Sequence, residues 1–503
     1  MTTRSSVMSG AGSGLYTAID STRLMRAWLR KVNMDPTLDH HRNADVLGQM
    51  ADRLVENDPH AAALENAMVE GVLGADGLRF RCLYQADDDE AVSDVELAVR
   101  RQVDRAVQRA YGSQDLHAGQ QMFGIDMDEQ GLRSEARYGD QIWVRTYKPR
   151  RTGARFGNCW RILHPRRVSD PADRPFQSSQ IDGVIGGFQF RDGVWVGIWV
   201  QGMDPVTGQG SGKWEYVPRW SNAGMPNVLH RARLRRPGEV RGISWYAPLL
   251  VLATHLSSSV ESYAVAKRTQ ASYTGAVRTD NPHALAAAQL AGTNLSDASG
   301  PMVKPEPGTF LFMSHDDVLE FPSVQFNGAD LEQYIDSMLR AFTAAWGLPF
   351  QVVMCQLTKT NMAASRAALL QWYRTNERYQ NSQIRAIVHP RTRVVIREAM
   401  ATGMIDVSGA SLDALSEGRY QRPPRTTPDP AREAQAARAW LEMGKDPSDL
   451  FGDMGWDFAE DVMGAEQSVR FAARHGITLP VGSSPDVDES AAEDNNKEVS
   501  DET

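Results

Sequence analysis

Cysteine is scarce in this 503-residue chain. The three thiols, Cys82, Cys159 and Cys355, stand far apart with no C-x-x-C pair. Neither a disulfide framework nor a zinc site can be built from them, and a reducing compartment is the natural setting. Long apolar runs are also missing. The longest candidate, Ala247 to Leu256, falls short of the roughly 18 residues that a bilayer-spanning helix needs. Met1 to Tyr16 is rich in Ser, Gly and Thr with no apolar centre, so it does not read as a secretory leader. No membrane partner is expected, and no internal repeat is visible.

Catalytic patterns are lacking as well. Gly208-Gln209-Gly210-Ser211-Gly212-Lys213-Trp214 looks at first like a phosphate loop. No Gly stands five positions before Gly212, however, and Trp214 replaces the hydroxyl that would hold magnesium, so a Gly-rich hairpin turn is the better reading. His40-His41 lacks the i, i+4 spacing of a zincin helix, and G-x-S-x-G does not occur. Asp87-Asp88-Asp89-Glu90 reads as a solvated helix start, because consecutive acids rarely converge on one cation. No enzyme, cofactor or metal is expected.

What is present is ordinary for a soluble globular chain: 42% hydrophobic and 23% charged residues, enough for two to four domains. The net charge of −9 is unevenly spread. Pro485 to Thr503 carries eight acids and one Lys, which leaves the rest of the chain close to neutral. Gln141 to Ser169 has eight cations and no acid: Arg145, Lys148, Arg150, Arg151, Arg155, Arg161, Arg166 and Arg167. Such a block can face nucleic acid, face an acidic neighbouring subunit, or simply be solvated.

Taken in order, residues 1–20 have the composition of a disordered terminus, and Ser21 to Val32 reads as a short Arg-rich helix. Val46 to Leu73 is helical, interrupted at Asn57-Asp58-Pro59 and restarted at Pro59. Asp87 to Tyr111 reads as a charged helix. Alternation predicts strands at Gln141 to Tyr147, Asn158 to Leu163, Val184 to Arg191, Val194 to Gln201 and Trp214 to Val217. Asp192-Gly193 is a hairpin signal. The segment 141–230 is thus a β-rich module set among helices.

Leu249, Leu252, Leu256, Val260 and Tyr263 then recur at helical spacing, and the helix extends to about Ser272, a rod of roughly 38 Å. Tyr273 to Val324 is a compact insert with a strand at Thr309 to Met313. Asp330 and Gln333 have capping-box spacing before a stripe of Leu331, Ile335, Met338, Leu339, Phe342 and Trp346. Gly347 and Pro349 end that helix. A polar loop follows to Asn361, with Lys359 its one charge among Gln356, Thr358 and Thr360. A long helix starts at Met362 and runs to about Gly403, kinked at His389-Pro390. Further helices are expected at Ala431 to Met443, ended by Gly444, and at Phe458 to His475.

Four strings resemble those of the lambda-type phage portal proteins, and they fall in that family's order. They are Asn57-Asp58-Pro59-His60-Ala61 running into Val69-Glu70-Gly71-Val72-Leu73-Gly74, then Arg241-Gly242-Ile243-Ser244-Trp245-Tyr246-Ala247-Pro248. Next come Asn361-Met362-Ala363-Ala364-Ser365-Arg366-Ala367-Ala368-Leu369-Leu370 and Asp429-Pro430-Ala431-Arg432-Glu433-Ala434. Ser244 stands where the family usually has Pro, Arg432 where it has Lys, and Thr426-Thr427-Pro428 where it has aromatics. The resemblance covers about residues 45–475.

It implies an α+β, portal-like multi-domain subunit with long stem helices, a β-rich wing module and a small mixed α/β clip. The wing would span 21–243, the first stem helix 244–272, the clip 273–324 and the second stem helix 325–346. The tunnel loop would span 347–361, a long helix returning to the wing 362–424, the crown 425–475 and an acidic tail 476–503. It further implies a homo-oligomeric ring of about twelve copies at one capsid vertex. That ring would be assembled in the host cytoplasm and carried in the virion. The implied partners are double-stranded DNA in the channel, the terminase large subunit, capsid or scaffold protein, and a head-completion or tail adaptor protein. On this mapping Gln356, Thr358, Lys359, Thr360 and Asn361 line the DNA channel, and Arg145, Lys148, Arg150, Arg151 and Arg155 are candidates for a subunit interface. The alternative is a non-ring DNA-binding or scaffolding protein of virion assembly, with the basic block as its support.

Overall fold

The computed structural model describes residues 36–85, 93–173, 182–203, 210–278, 309–313, 328–355, 362–405, 409–423, 430–447 and 450–451. The helices expected at Ser21 to Val32 and Phe458 to His475, most of the insert expected over 273–324 and the acidic tail lie outside them.

Helices α1 (Pro36–Asn57) and α2 (Pro59–Leu73) meet at Asp58. The Asp58 carboxylate accepts from the amides of His60 and Ala61, and Pro59 needs no donor in the first turn. Gly74 (φ 59°) ends α2, and β1 (Arg79–Cys82) follows. Helix α3 (Asp94–Tyr111) opens on a capping box between Ser93 and Glu96. Helix α4 (Gly124–Tyr138) leads directly into the β-rich module.

The module holds two sheets. One has order β3-β2-β8, from β2 (Asp140–Tyr147), β3 (Asn158–Leu163) and β8 (Val228–Ala232). The other has order β4-β5-β6-β7, from β4 (Gly183–Ile185), β5 (Phe188–Arg191), β6 (Val194–Met203) and β7 (Gly210–Pro218). Both bury side chains in one core of Ile142, Leu163, Val168, Phe188, Ile198, Val200 and Val228. The single strand expected from Val184 to Arg191 is a hairpin, because Gly186 (φ 56°) and Gly187 (φ 83°) turn the chain. Asp192 (φ 53°) and Gly193 (φ 74°) form the expected turn between β5 and β6. Of the glycine-rich stretch 208–214, the described residues 210–214 belong to β7, which pairs antiparallel with β6.

Helix α5 (Leu250–Ser272) is 23 residues long, about 35 Å. It runs into β9 (Tyr273–Arg278), which pairs in parallel with β10 (Thr309–Met313). The chain returns along α6 (Gly328–Ala344), which starts two residues before the expected cap at Asp330. A one-turn helix α7 (Phe350–Val353) precedes α8 (Met362–Gln383). The kink expected at His389-Pro390 is a π-helical turn over Ile384–Val388, followed by α9 (His389–Ala401). Pro390 has no N–H and crowds the carbonyl four residues back, so the ladder widens and the His389 amide reaches the Ile384 carbonyl. Helix α10 (Leu412–Ser416) leads to β11 (Gly418–Gln421), antiparallel to β1, and α11 (Pro430–Glu442) ends before Gly444 (φ 88°).

Two larger cores flank this frame. One joins α1, α2 and α4 to Trp245, Tyr246, Phe342, Trp346 and Tyr379. The other joins β1 and α3 to Trp143, Trp160 and the Val394-Val395-Ile396 face of α9.

Candidate functional site

The paired rods and the chain between α6 and α8 are the places where a conduit would act, so their supports come first. Helices α5 and α6 pack through Leu256 and Leu339, with Ile335, Met338, Phe350 and Met354 against them. Their ends near Trp245 and Trp346 are fixed by aromatic rings. Trp245, Tyr246 and Trp346 are almost fully buried. Trp245 and Trp346 meet edge-on at 5.3 Å, Tyr246 lies 4.8 Å from Trp346, and Tyr379 of α8 lies 5.2 Å from Trp245. Three of the polar atoms here find partners, while Trp245 Nε1 is buried without one among the described residues. Trp346 Nε1 donates to the Trp245 carbonyl (3.2 Å), the Tyr379 hydroxyl to the Trp346 carbonyl (3.2 Å), and the Tyr246 hydroxyl to the Ala61 carbonyl (3.1 Å). Burial holds the Tyr246 phenol neutral, pushing its pKa far up.

The chain enters α5 through an ionic node. Asp140, fully buried at the start of β2, accepts from Arg241 Nε (2.7 Å) and the Gly242 amide (2.9 Å), with His230 Nε2 at 3.0 Å. The other donors of Arg241 reach the carbonyls of Val168 (2.7 Å), Gly186 (3.0 Å) and Pro165 (3.0 Å). One side chain therefore ties both sheets of the module to the root of the rod. A Cβ on Gly242 would lie 2.1 Å from the Gly139 carbonyl oxygen, so glycine is required there. This explains the Arg241-Gly242 pair in mechanical terms.

Further buried ties follow the same logic. Arg231 Nη1 meets Glu135 (2.5 Å), whose carboxylate also accepts from Gln141 (2.9 Å), while Arg231 Nε donates to Ser382 (2.9 Å). Glu65, at 0% exposure, takes Arg133 (2.7 Å) and Arg137 (2.8 Å). Arg391, fully buried in α9, pairs with Asp128 and stacks over Trp143 at 4.5 Å. Sequence reading missed all of these, because a charge within an apolar stretch carries no spacing signal for its partner.

The channel candidates Gln356, Thr358, Lys359, Thr360 and Asn361 lie outside the described residues. Their flanks do not. Gly347 (φ 74°) turns the chain, the Thr375 hydroxyl donates to the Gly347 carbonyl (3.1 Å), and Leu348, Phe350 and Val353 are buried. The stretch expected to be loop from 347 is therefore anchored as far as Met354. Only residues 356–361 separate the described chain at Cys355 from the start of α8.

The basic block is mostly committed within the subunit. Arg145 donates to the Pro226 carbonyl (2.9 Å) and to the side chains of Asn158 (2.6 Å) and Asn227 (2.7 Å). Lys148 Nζ donates to the Ala118 carbonyl (3.2 Å). Arg151 gathers the carbonyls of Asp115 (2.7 Å), Phe156 (2.8 Å) and His117 (2.9 Å). Guanidiniums that satisfy loop carbonyls need no acid, which accounts for an acid-free run. Arg150 and Arg155 are exposed.

Two of the three thiols are shut away, while Cys355 is exposed. Cys82 and Cys159 are buried, and burial pushes the Cys82 thiol up to about 11. Among the described residues no group of three or more His, Cys, Asp and Glu is placed to hold a metal ion, and no helix is long and apolar enough to cross a membrane.

Paired helical rods seated on a β-rich body by buried ionic and aromatic ties define a structural assembly subunit. Residues 21–380 match the family described as "Phage portal protein, lambda family", which is most of the chain. The chain belongs to the lambda family of phage portal proteins, and its role is that of a capsid portal; the family is structural, not enzymatic. No curated protein matches the sequence.

Three solved chains are similar in outline. One comes from the neck of an empty gene transfer agent particle computed with C6 symmetry: 13% identical, covering 81% of this chain and 93% of that chain, TM-score 0.39. Another is from the virion of a native gene transfer agent particle: 12% identical, covering 82% and 94%, TM-score 0.39. The third, from the neck of a native particle computed with C12 symmetry, is 13% identical, covering 71% and 90%, TM-score 0.31. The likeness to all three is remote.

Proposed function

We propose that about twelve copies close into a ring at one capsid vertex, and that DNA enters and leaves the capsid through its channel. The observation that carries this reading is the surface of α5. Its inner side buries Ala253 and Leu256, yet Val251 (67% exposed) and Val265 (51% exposed) lie on the opposite side. These two valines, set among exposed His255, Ser258 and Ser262, are apolar surface for a neighbour to cover, and ring closure supplies that cover through heterologous contacts. The order rod, insert, rod, short polar segment, long helix then serves as stem, clip, stem, tunnel loop and return to the wing.

In this arrangement Gln356, Thr358, Lys359, Thr360 and Asn361 face DNA. One Lys per subunit, repeated around a ring, gives a mild and sequence-blind positive belt. Many more cations would hold the phosphates and stop the duplex from sliding. The clip would receive the terminase large subunit during packaging and a head-completion or tail adaptor protein afterwards, while capsid or scaffold protein would surround the ring. Of the basic-block candidates for the subunit flank, exposed Arg150 and Arg155 are the two this reading keeps, since Arg145, Lys148 and Arg151 are engaged internally. The same engagement removes the main support for a non-ring DNA-binding protein.

The reading is tested by comparing the native mass of the purified chain with that of a Val251→Asp/Val265→Asp variant. The parent is expected as a ring and the variant as a folded monomer with an unchanged far-ultraviolet circular dichroism spectrum. Rings that survive both substitutions would remove α5 from the interface.

A further inference from the structure

An open groove of about 510 Å³ lies between α3 and the connection from β2 to β3. Arg105 and Arg109 line one side, four residues apart and so on one face of α3, and Arg155 lines the other. All three are exposed, and among the described residues none of their guanidiniums has a hydrogen-bond or ion-pair partner. This sets them apart from Arg145 and Arg151 nearby. Asp115 is the one acid in the lining, and its Oδ2 already accepts from the amides of Arg155 (2.9 Å) and Phe156 (3.4 Å). Gln108 adds a neutral donor, and Gly153 leaves the rim open, with no atom within 4 Å of where a Cβ would stand. The C-terminal end of α3 also points here and is slightly unfavourable to anions. Any binding must therefore come from the three guanidiniums, whose mutual repulsion an acidic ligand would relieve.

We propose that the acidic segment from Pro485 to Thr503 of this chain docks in the groove. Two observations favour this occupant. The segment carries eight carboxylates against one Lys, a net of −7 that complements the three guanidiniums. The described chain also ends close to α3. Asp446 lies 3.6 Å from Arg419 on β11, Arg419 stands opposite Arg81 on β1, and Arg81 lies 3.8 Å from Asp104, the residue before Arg105. From Phe451 to Pro485 the chain can span up to roughly 110 Å, so reach is no obstacle. Tethering raises the local concentration of the segment to the millimolar range, above what a dilute free polyanion offers. The docked segment shields these three cations, and so keeps this groove from capturing DNA that should pass through the channel.

The test uses the full chain. A fluorescent peptide with the sequence of residues 485–503 is titrated against the parent and against a chain of equal length in which all eight tail acids are Asn or Gln. The neutral-tail chain is expected to bind the peptide at least roughly tenfold more tightly than the parent, because the parent's own tail competes. Binding should weaken steeply with salt. It should be lost both in Arg105→Glu/Arg109→Glu and, from the other wall, in Arg155→Glu, exposed positions where the fold is unaffected. Equal peptide binding by parent and neutral-tail chains overturns the proposal, as does binding that ignores the arginine changes. A neutral-tail chain that takes up a short DNA duplex through these arginines, without competition from the peptide, also overturns it and makes the groove a phosphate site.

Discussion

Replacing Arg241 by Met keeps the length and apolar stem of the side chain but removes its guanidinium. Four hydrogen bonds disappear: one to Asp140 and three to the carbonyls of Pro165, Val168 and Gly186. Asp140, at 0% exposure, would lose the guanidinium that balances its carboxylate, while His230 and the Gly242 amide stay in place. Breaking a buried pair in this way costs about 3–5 kcal/mol, because the remaining charge cannot regain water. For a cooperative unit of about 150–250 residues this corresponds to a midpoint lower by roughly 6–20 °C. The measurement is thermal unfolding followed by tryptophan fluorescence, on samples of matched assembly state, since association itself raises the midpoint. Asp140→Leu combined with Arg241→Met should cost less than the two single changes together, because the orphaned charge is gone. An Arg241→Met midpoint within about 2 °C of the parent would refute the reasoning, since a side chain joining two sheets to a rod cannot be removed at so small a cost.

Three further outcomes follow from other contacts. Gly242→Ala should destabilise the same junction, since the new Cβ would lie 2.1 Å from the Gly139 carbonyl, whose residue already sits at φ 90°; increased proteolysis near 240–250 would register it. Trp346→Ala should cost about 3–5 kcal/mol and loosen the chain leading to 356–361, which hydrogen exchange across 347–355 would report. For pH, the His389 pKa lies below its ordinary 6.5 through burial and then the nearby Arg393. The unfolded chain thus takes up this proton first, so stability is complete above 6.5 and falls as pH drops below it. His389→Gln, which can still accept from Tyr420, should flatten the fall in melting midpoint between about pH 7 and pH 5.5.

The parts of this fold that are local in sequence were legible in it. Asp58-Pro59 carries its own cap and first turn, Asp192-Gly193 its own φ values, and Pro390 its own ladder defect, so helix restart, hairpin and kink could each be placed to within a residue or two. The pairing of Arg79–Cys82 with Gly418–Gln421 could not, because two four-residue strands over 300 positions apart give no periodicity to find. Val184 to Arg191 looked continuous because Gly186-Gly187 interrupts no apolar alternation, only the backbone direction. The basic block misled for a different reason. Composition gives the sign of a charge but not the acceptor, and most of its donors reach carbonyls in their own subunit. The expected loop at 347–355 turned out packed because Leu348, Phe350 and Val353 find a core that only the fold creates. The expected channel residues 356–361 remain a proposal of sequence and family alone.

The central claim is that this chain works as a ring with an open axis. Negative-stain imaging of the purified full chain, with native mass measured on the same sample, tests it most directly. The account predicts annular particles of about twelve subunits with a stain-filled central hole. A stable dimer at high protein concentration, showing no rings and binding DNA duplexes with a steep salt dependence, would contradict it.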